Sequence, residues 1–369
     1  MDGAACLHQG RAMMASCRSC SKRYRSRSAR RPKSVHHSAP LPTADEEVAG
    51  LPQIQVGMRF GAGTHMSNTA EESTTTPITV YDGRADSQRF KLEQHGFQLV
   101  STHGLGIDET SGSLVDFFDA DEFVQKVFPQ VEREVLQLIS GATRVIAFDH
   151  IVRDPSRVAE ELSNTDSQVP RTRFLQGTLG NAHGDYTARS GRSRAEQLLA
   201  PFEDASTIQK ALSDRFAMIN VWVPLETVRT SPLALCTWSS VSPKDVLTNR
   251  LHFKHRIGET YKVKFSPNQR WVFFSEASPT EAIVFKTYDS SSEASRFCLH
   301  SAFRLPEEEM GQTCLPTRRS VEVRLLVLWG EDLEQLACNF VPPHMTGVSA
   351  TELVKEVPYT ETLSFGDEW

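Results

Sequence analysis

Long apolar runs are missing from these 369 residues: none approaches the roughly 18 that a spanning helix needs, so the pattern offers no transmembrane helix. No G-x-G-x-x-G stands between a strand pattern and a helix pattern, which excludes a Rossmann dinucleotide site. No stretch repeats at a fixed period, so a solenoid or propeller is not indicated. Strong charge is lacking as well. A net charge of −6 gives no basic face of the kind nucleic acid requires. The seven cysteines are odd in number and no secretory apolar segment precedes them, so free thiols in a reducing compartment, the cytoplasm, are expected. Cys17 and Cys20 form a lone C-x-x-C without the second pair that a zinc site would need.

What is present reads as an ordinary globular chain, 39% hydrophobic and 23% charged, long enough to bury a sizeable core. The charge is uneven. Residues 1–40 hold seven Arg and two Lys against a single acid, Asp2, and are rich in Ser. Such a segment buries too little apolar surface to offset its ordering entropy. Three readings compete for it: an organellar leader, a basic tail for anionic partners, or a non-functional extension with translation beginning near Met66. The last is preferred. Patterned sequence begins at about Ile78, so the expected organisation is a basic, Ser-rich tail and linker over 1–77 and one domain over 78–369.

Within that domain, Ile78–Tyr81 and Phe97–Ser101 read as short strands. From Asp119 to Ser140, Phe123, Val124, Val127, Phe128, Val131, Val135 and Ile139 recur at helical spacing, with Pro129 kinking or splitting the run. Arg144–Phe148 reads as a buried strand, 153–170 as a loop with a short helix, and Arg171–Thr178 as a strand. Helical patches are expected at Ser193–Leu199 and Ser206–Asp214. Strand patterns follow at Phe216–Val223, Leu233–Trp238, Ala282–Tyr288 and Ser320–Trp329. Glu259–Phe265 and Arg270–Phe274 flank Ser266-Pro267-Asn268, a hairpin signal. Helices first and strands afterwards predict a mainly β fold with flanking helices, a double-stranded β-helix or jelly roll whose two sheets enclose a pocket.

His183-Gly184-Asp185 follows an apolar run. If extended, it would present an imidazole and a carboxylate on one face. His300, in Leu299-His300-Ser301-Ala302-Phe303, precedes the last strand. Two imidazoles and one carboxylate hold non-haem iron(II) on one side and leave the other open for co-substrate and oxygen. His252 and His255 flank a charged stretch and read as surface residues, and His150 as structural. On the last strand, Arg318, Ser320, Glu322 and Arg324 would share a face. Arg318 with Ser320 offers a cation and a hydroxyl for the carboxylate of a 2-oxo-acid co-substrate, with Arg319 facing outward. Asn220 and Trp222 are candidate pocket residues on the strand 216–223.

Taken in order, Tyr81-Asp-Gly-Arg84, Gly141 to His150, Ala182 to Thr187, Arg215 to Trp222, Pro232 to Cys236, Phe285 to Ser290, Arg296 to Phe303 and Arg318 to Arg324 resemble the AsaB-like hydroxylase/desaturase family of fungal secondary metabolism, itself related to the bacterial CmcJ component of cephamycin methoxylation. The resemblance covers about residues 78–330. It implies a jelly-roll iron(II)/2-oxoglutarate oxidoreductase that hydroxylates or desaturates a small-molecule intermediate, with O2 as second substrate. Its metal ligands would be His183, Asp185 and His300, and its co-substrate clamp Arg318 with Ser320. Val223 and Thr237 depart from the family pattern, which has Arg and Asp there.

The expected partners are a small-molecule substrate and O2, with no nucleic acid and no membrane. The CmcJ relationship adds a partner enzyme to that expectation. It also motivates the alternative function, a catalytically silent jelly-roll accessory protein that binds a metabolite or companion enzyme. A metal-dependent hydrolase is a third reading.

Overall fold

The computed structural model describes residues 42–61, 73–107, 116–163, 175–253, 257–311, 315, 317–330 and 353–358. Chain order begins with α1 (Ala44–Val48), β1 (Gln53–Gly61), β2 (Ser73–Asp82), α2 (Leu92–His95), β3 (Phe97–Ser101), α3 (Ala120–Lys126), α4 (Phe128–Leu138), β4 (Arg144–Arg153), α5 (Pro155–Ser163), β5 (Leu175–Gln176) and β6 (His183–Gly184). It continues with α6 (Ala188–Leu199), α7 (Ala205–Ala211), β7 (Phe216–Pro224), β8 (Leu233–Cys236), β9 (Val246–Phe253), β10 (Ile257–Val263), β11 (Trp271–Phe273), β12 (Glu281–Asp289), β13 (His300–Ala302), α8 (Pro306–Glu309), β14 (Ser320–Leu328) and β15 (Leu353–Pro358).

Local chemistry sets the helix boundaries. Asp119 caps α3 by accepting from the amides of Asp121 and Glu122, both at 3.0 Å. Pro129 falls in the first turn of α4, where its missing N–H costs nothing, so the expected kink is a clean division into two helices.

Two sheets form. One has nine strands in the order β1-β2-β11-β8-β13-β6-β10-β9-β15, and the other has six, β3-β12-β7-β14-β4-β5. This is the jelly-roll arrangement expected. Between the sheets, Phe97, Trp222, Ile283 and Phe285 meet Leu233, Leu235 and Val272. On the far side of the six-stranded sheet, Ile219, Val221, Val323 and Leu325 pack against Phe123, Val131 and Val135 of α3 and α4. Helices α6 and α7 close one end, with Leu198, Leu199 and Ile208 packed on Phe216, Met218, Leu326 and Leu328.

Two expectations need correction. The stretch read as linker up to residue 77 contains α1 and all of β1. β1 pairs with β2 through nine register positions, from Gln53 opposite Tyr81 to Gly61 opposite Ser73. Its alternating Val56, Met58 and Phe60 are buried in a core, and that burial orders the segment despite its polar flanks. Residues 1–41 lie outside the described residues, so the basic head and the Cys17/Cys20 pair are among what is not described.

The hairpin across Ser266-Pro267-Asn268 is not formed. The turn exists, with Gln269 N–H donating to the Ser266 carbonyl at 3.2 Å. The strands on either side part, however: β10 pairs with β6 and β9, while β11 pairs with β2 and β8. Local turn chemistry fixes the reversal but not the neighbour.

Candidate metal centre

β6 and β13 are neighbours in the nine-stranded sheet, and His183 and His300 are directly opposite across that ladder. Their ring centroids stand 4.3 Å apart. β6 is anchored by the segment first read as linker, since Ala182 N–H donates to the Arg59 carbonyl at the end of β1 at 2.9 Å. Asp185 lies just past the two-residue β6 rather than on a regular strand face. The chain there is fixed by Thr187, which caps α6, and by Ser190. Thr187 Oγ1 donates to Glu259 Oε2 at 3.1 Å, and Ser190 Oγ donates to the Glu259 carbonyl at 2.6 Å.

The two imidazoles are oriented alike. Nδ1 of His183 is 2.8 Å from the Asn181 carbonyl, and Nδ1 of His300 is 3.1 Å from the Cys298 carbonyl. A carbonyl only accepts, so each Nδ1 carries the proton and each Nε2 presents a lone pair. Both Nε2 atoms lie 3.6 Å from the same Asp185 Oδ1. One ligand atom from each residue falls within 4.8 Å of the others, the one such His/Cys/Asp/Glu group of three or more among the described residues. Two neutral nitrogens and one carboxylate oxygen, converging with their other ring nitrogens engaged, fit a divalent first-row metal.

Protonation suits the same role. Burial, and then the neighbouring His300, push His183 down to about 4, so it is a neutral donor at pH 7. Burial would raise Asp185. His300, Arg324, His183 and the Asn220 amide outweigh it and hold the carboxylate at about 2.

The six-stranded sheet supplies the opposite wall. Asn220 on β7 is buried, and both protons of its Nδ2 are used. One goes to Asp185 Oδ2 at 3.0 Å, the other to Glu322 Oε1 at 3.1 Å. Glu322 on β14 also accepts from Arg324 Nε at 3.4 Å, and Arg324 Nη1 reaches Asp149 Oδ2 at 3.3 Å. These two carboxylates oppose the effect of burial and keep Arg324 above its ordinary value.

Arg318 is buried. Its Nη1 donates to Ser320 Oγ at 2.7 Å and its Nε to the Ser231 carbonyl at 2.6 Å. Its guanidinium sits 4.8 Å from the centre of the Trp222 ring. Burial, and then like charge on Arg153, lower Arg318 to about 9. One cavity is lined by Arg153, His183, Trp222, His300, Arg318 and Glu322, so the ligand set and the arginine open into the same space.

The structure thus gathers His183, Asp185, His300, Arg318, Asn220 and Trp222, with Ser320 hydrogen-bonded to Arg318. Arg319 is exposed and meets Glu226, as expected. His150 is buried away from the centre and stacks on Phe123 at 4.3 Å. His252 lies on β9 opposite Ile257, and His255 lies outside the described residues. Val223 belongs to the opposite, apolar face of β7, so that departure from the family pattern does not touch the ligands. Sequence reading missed Arg153 and gave Glu322 and Arg324 no role. Arg153 carried one signal, a cation ending an apolar strand, but its neighbour Ser320 becomes visible only through the β4–β14 register.

Comparison with known proteins agrees with this geometry. A family model described as oxidoreductase/YMDC permease-like domain matches residues 43–328. The hydroxylase/desaturase efuI of Hormonema carpetanum is 27% identical, over 78% of this chain and 92% of its own. The alpha-ketoglutarate-dependent dioxygenase phiK of a fungal species is 30% identical, over 67% of this chain and 82% of its own. Among solved structures, the iron and alpha-ketoglutarate-dependent endoperoxidase NvfI superposes with a TM-score of 0.59 at 21% identity. That match covers 77% of this chain and all of that one, and it supports the fold.

Proposed function

This chain belongs to the oxidoreductase/YMDC permease-like domain family, and on that premise we propose the work done by its individual residues. The protein is an iron(II)- and 2-oxoglutarate-dependent oxidoreductase of the hydroxylase/desaturase kind, acting with O2 on a small-molecule intermediate of secondary metabolism. One observation carries the assignment of residues: His183, Asp185 and His300 converge within 4.8 Å at a cavity that Arg318 also lines.

His183 and His300 would hold iron(II) through Nε2, and Asp185 through Oδ1. Iron(II) with 2-oxoglutarate and O2 supplies the oxidation of an unactivated C–H bond. The chain's own groups position and insulate that chemistry. Asn220 ties Asp185 Oδ2 to Glu322, which leaves Oδ1 facing the two imidazoles. Arg318 and Ser320 would take the distal carboxylate of the co-substrate. Arg318 has no carboxylate partner among the described residues, so a carboxylate ligand would relieve its burial. Trp222, at 2% exposure, underlies that arginine and keeps water from it.

Anaerobic iron(II) titration in the presence of 2-oxoglutarate tests the assignment. Joint binding with a weak visible charge-transfer band, lost in His183→Ala, is expected. A reconstituted protein that binds neither would leave the accessory-protein reading in its place. Cytoplasmic residence is supported by Cys236 and Cys298, both free and buried. Among the described residues no helix is long and apolar enough to cross a membrane. The CmcJ relationship supports a companion enzyme, which co-purification would reveal.

A further inference from the structure

The cavity contains a second buried guanidinium that the ligand set and the Arg318–Ser320 clamp leave unused. Arg153 ends β4 and is paired directly with Ser320 of β14. Residues directly opposite in an antiparallel ladder project to the same face. Arg318, two residues before Ser320, donates to its hydroxyl at 2.7 Å. Two arginines therefore neighbour one serine, Arg153 by strand register and Arg318 by hydrogen bond, and both line the cavity that also holds His183 and His300.

Both are almost entirely enclosed, Arg153 at 7% exposure and Arg318 at 3%. Neither forms an ion pair among the described residues. Arg153 spends only Nη1, on the Gly177 carbonyl at 2.8 Å and more distantly on Gln176 Oε1 at 3.5 Å. Its Nε and Nη2, and Nη2 of Arg318, have no protein acceptor among the described residues. Glu322, the acid whose charge acts most on both arginines, is already engaged by Asn220 and Arg324. Buried guanidiniums with free donors are expensive unless an anion meets them. Arg153 and Arg318 line one cavity, and the like charge of Arg153 acts on Arg318 across it.

We infer that Arg153 is a second binding residue for the co-substrate, so that the distal carboxylate lands on Ser320 between two guanidiniums rather than on Arg318 alone. This rests on the 2-oxoglutarate reading above and deepens it. A carboxylate has two oxygens and about four acceptor directions, enough for Nε and Nη2 of Arg153, Nη2 of Arg318 and the hydroxyl. The consequence is selectivity: 2-oxo acids without a second carboxylate leave two buried cations unmet and should be strongly disfavoured.

Anaerobic calorimetry on the full chain loaded with iron(II) tests this with two ligands. 2-Oxoglutarate carries the distal carboxylate; 2-oxobutyrate keeps the oxo-acid end and lacks it. Arg153→Met should weaken 2-oxoglutarate by about tenfold or more, the scale of a lost charge-assisted contact, and leave 2-oxobutyrate within about twofold of wild type. Arg153→Lys retains the charge but not the fork and should fall between. If Arg153→Met fails to fold, as judged by its thermal transition, the Lys variant decides alone through a several-fold loss confined to 2-oxoglutarate. Equal weakening of both ligands, or of neither, overturns the inference and leaves Arg153 as a prop for the Gly177 segment. Wild-type protein that binds no 2-oxoglutarate is a different failure, because it removes the function on which the inference stands.

Discussion

The two faces of β7 and β14 do opposite work with alternate residues. Outward, Val321, Val323, Leu325 and Val327 join Ala217, Ile219, Val221 and Val223 against α3 and α4 in one continuous apolar layer. Inward, Ser320, Glu322 and Arg324 face Asn220 and Trp222, and the side chains are tied by hydrogen bonds to Asp185 and Asp149. Slipping either strand by one residue would drive the valines into the site and the charges under the helices. The apolar face thus sets the register that aims the polar one. Stability and chemistry are separated by a single step along the chain.

The sharpest way to break this division is to strike each face in turn. His300→Ala removes one of the three proposed ligands, and iron(II) affinity should fall by well over the hundredfold expected for supporting contacts. The fold should persist, because His300 lies on a three-residue strand whose neighbours Leu299 and Ala302 supply the apolar contacts. Far-UV dichroism and metal titration together read both halves of the claim; a collapsed fold would show that the inward face also carries stability. Leu325→Ala is the mirror experiment. Leu325 is fully buried in the outward layer, and its truncation should cost about 2–5 kcal/mol in urea unfolding. Iron(II) affinity of the folded fraction should be unchanged, and a tenfold weakening would contradict the separation.

Asn220 tests the seam between the strands and the ligand set. Asn220→Ala frees Asp185 Oδ2 and leaves Glu322 without its amide donor, so iron(II) affinity should drop by roughly ten- to a hundredfold. Asn220→Asp would be worse, since it puts a third carboxylate beside Asp185 and Glu322. If the Asp variant binds iron(II) better than the Ala variant, the amide is not acting as a bridge between two anions.

How much of this the sequence disclosed follows from the range of each interaction. The grouping of His183, Asp185, His300 and Arg318 was legible because these residue types are chemically rare in combination and fall in a telling order; their proposed roles rest on that grouping. Phe97–Ser101 and Phe216–Val223 were legible because alternation and apolar runs are local signals. β1 was obscured by polar and glycine-rich flanks, although Val56, Met58 and Phe60 alternate as a strand should. β6 and β13, two and three residues long, are too short for any period to register, yet they carry both imidazoles. Arg153 could be recognised only once β4 and β14 were in register, because its relation to Ser320 spans more than 160 residues of chain. The missing hairpin has the same cause, since strand partners are chosen by the whole sheet.

The smallest expected effect asks whether acid sensitivity belongs to the site alone. His183 is depressed to about 4, so the free protein should lose stability below pH 6.5 from the inward face. His95 lies on α2, outside both faces, with Nδ1 accepting from Lys91 N–H at 3.0 Å and Nε2 3.7 Å from Glu47 Oε1. Burial lowers it as well, against the pull of Glu47. With a folded pKa below the unfolded value, the unfolded chain binds the extra proton first. The stability tied to neutral His95 is therefore complete above pH 6.5 and declines as pH falls toward its folded value. Glutamine can accept from Lys91 and donate to Glu47 without titrating. His95→Gln should match wild type in urea midpoint at pH 7.5 and lose less than wild type at pH 5.5, with His183 common to both and cancelling in the difference. Equal losses in the two proteins would remove His95 from the acid response and leave His183 on the inward face as the histidine with a resolved shift that accounts for it.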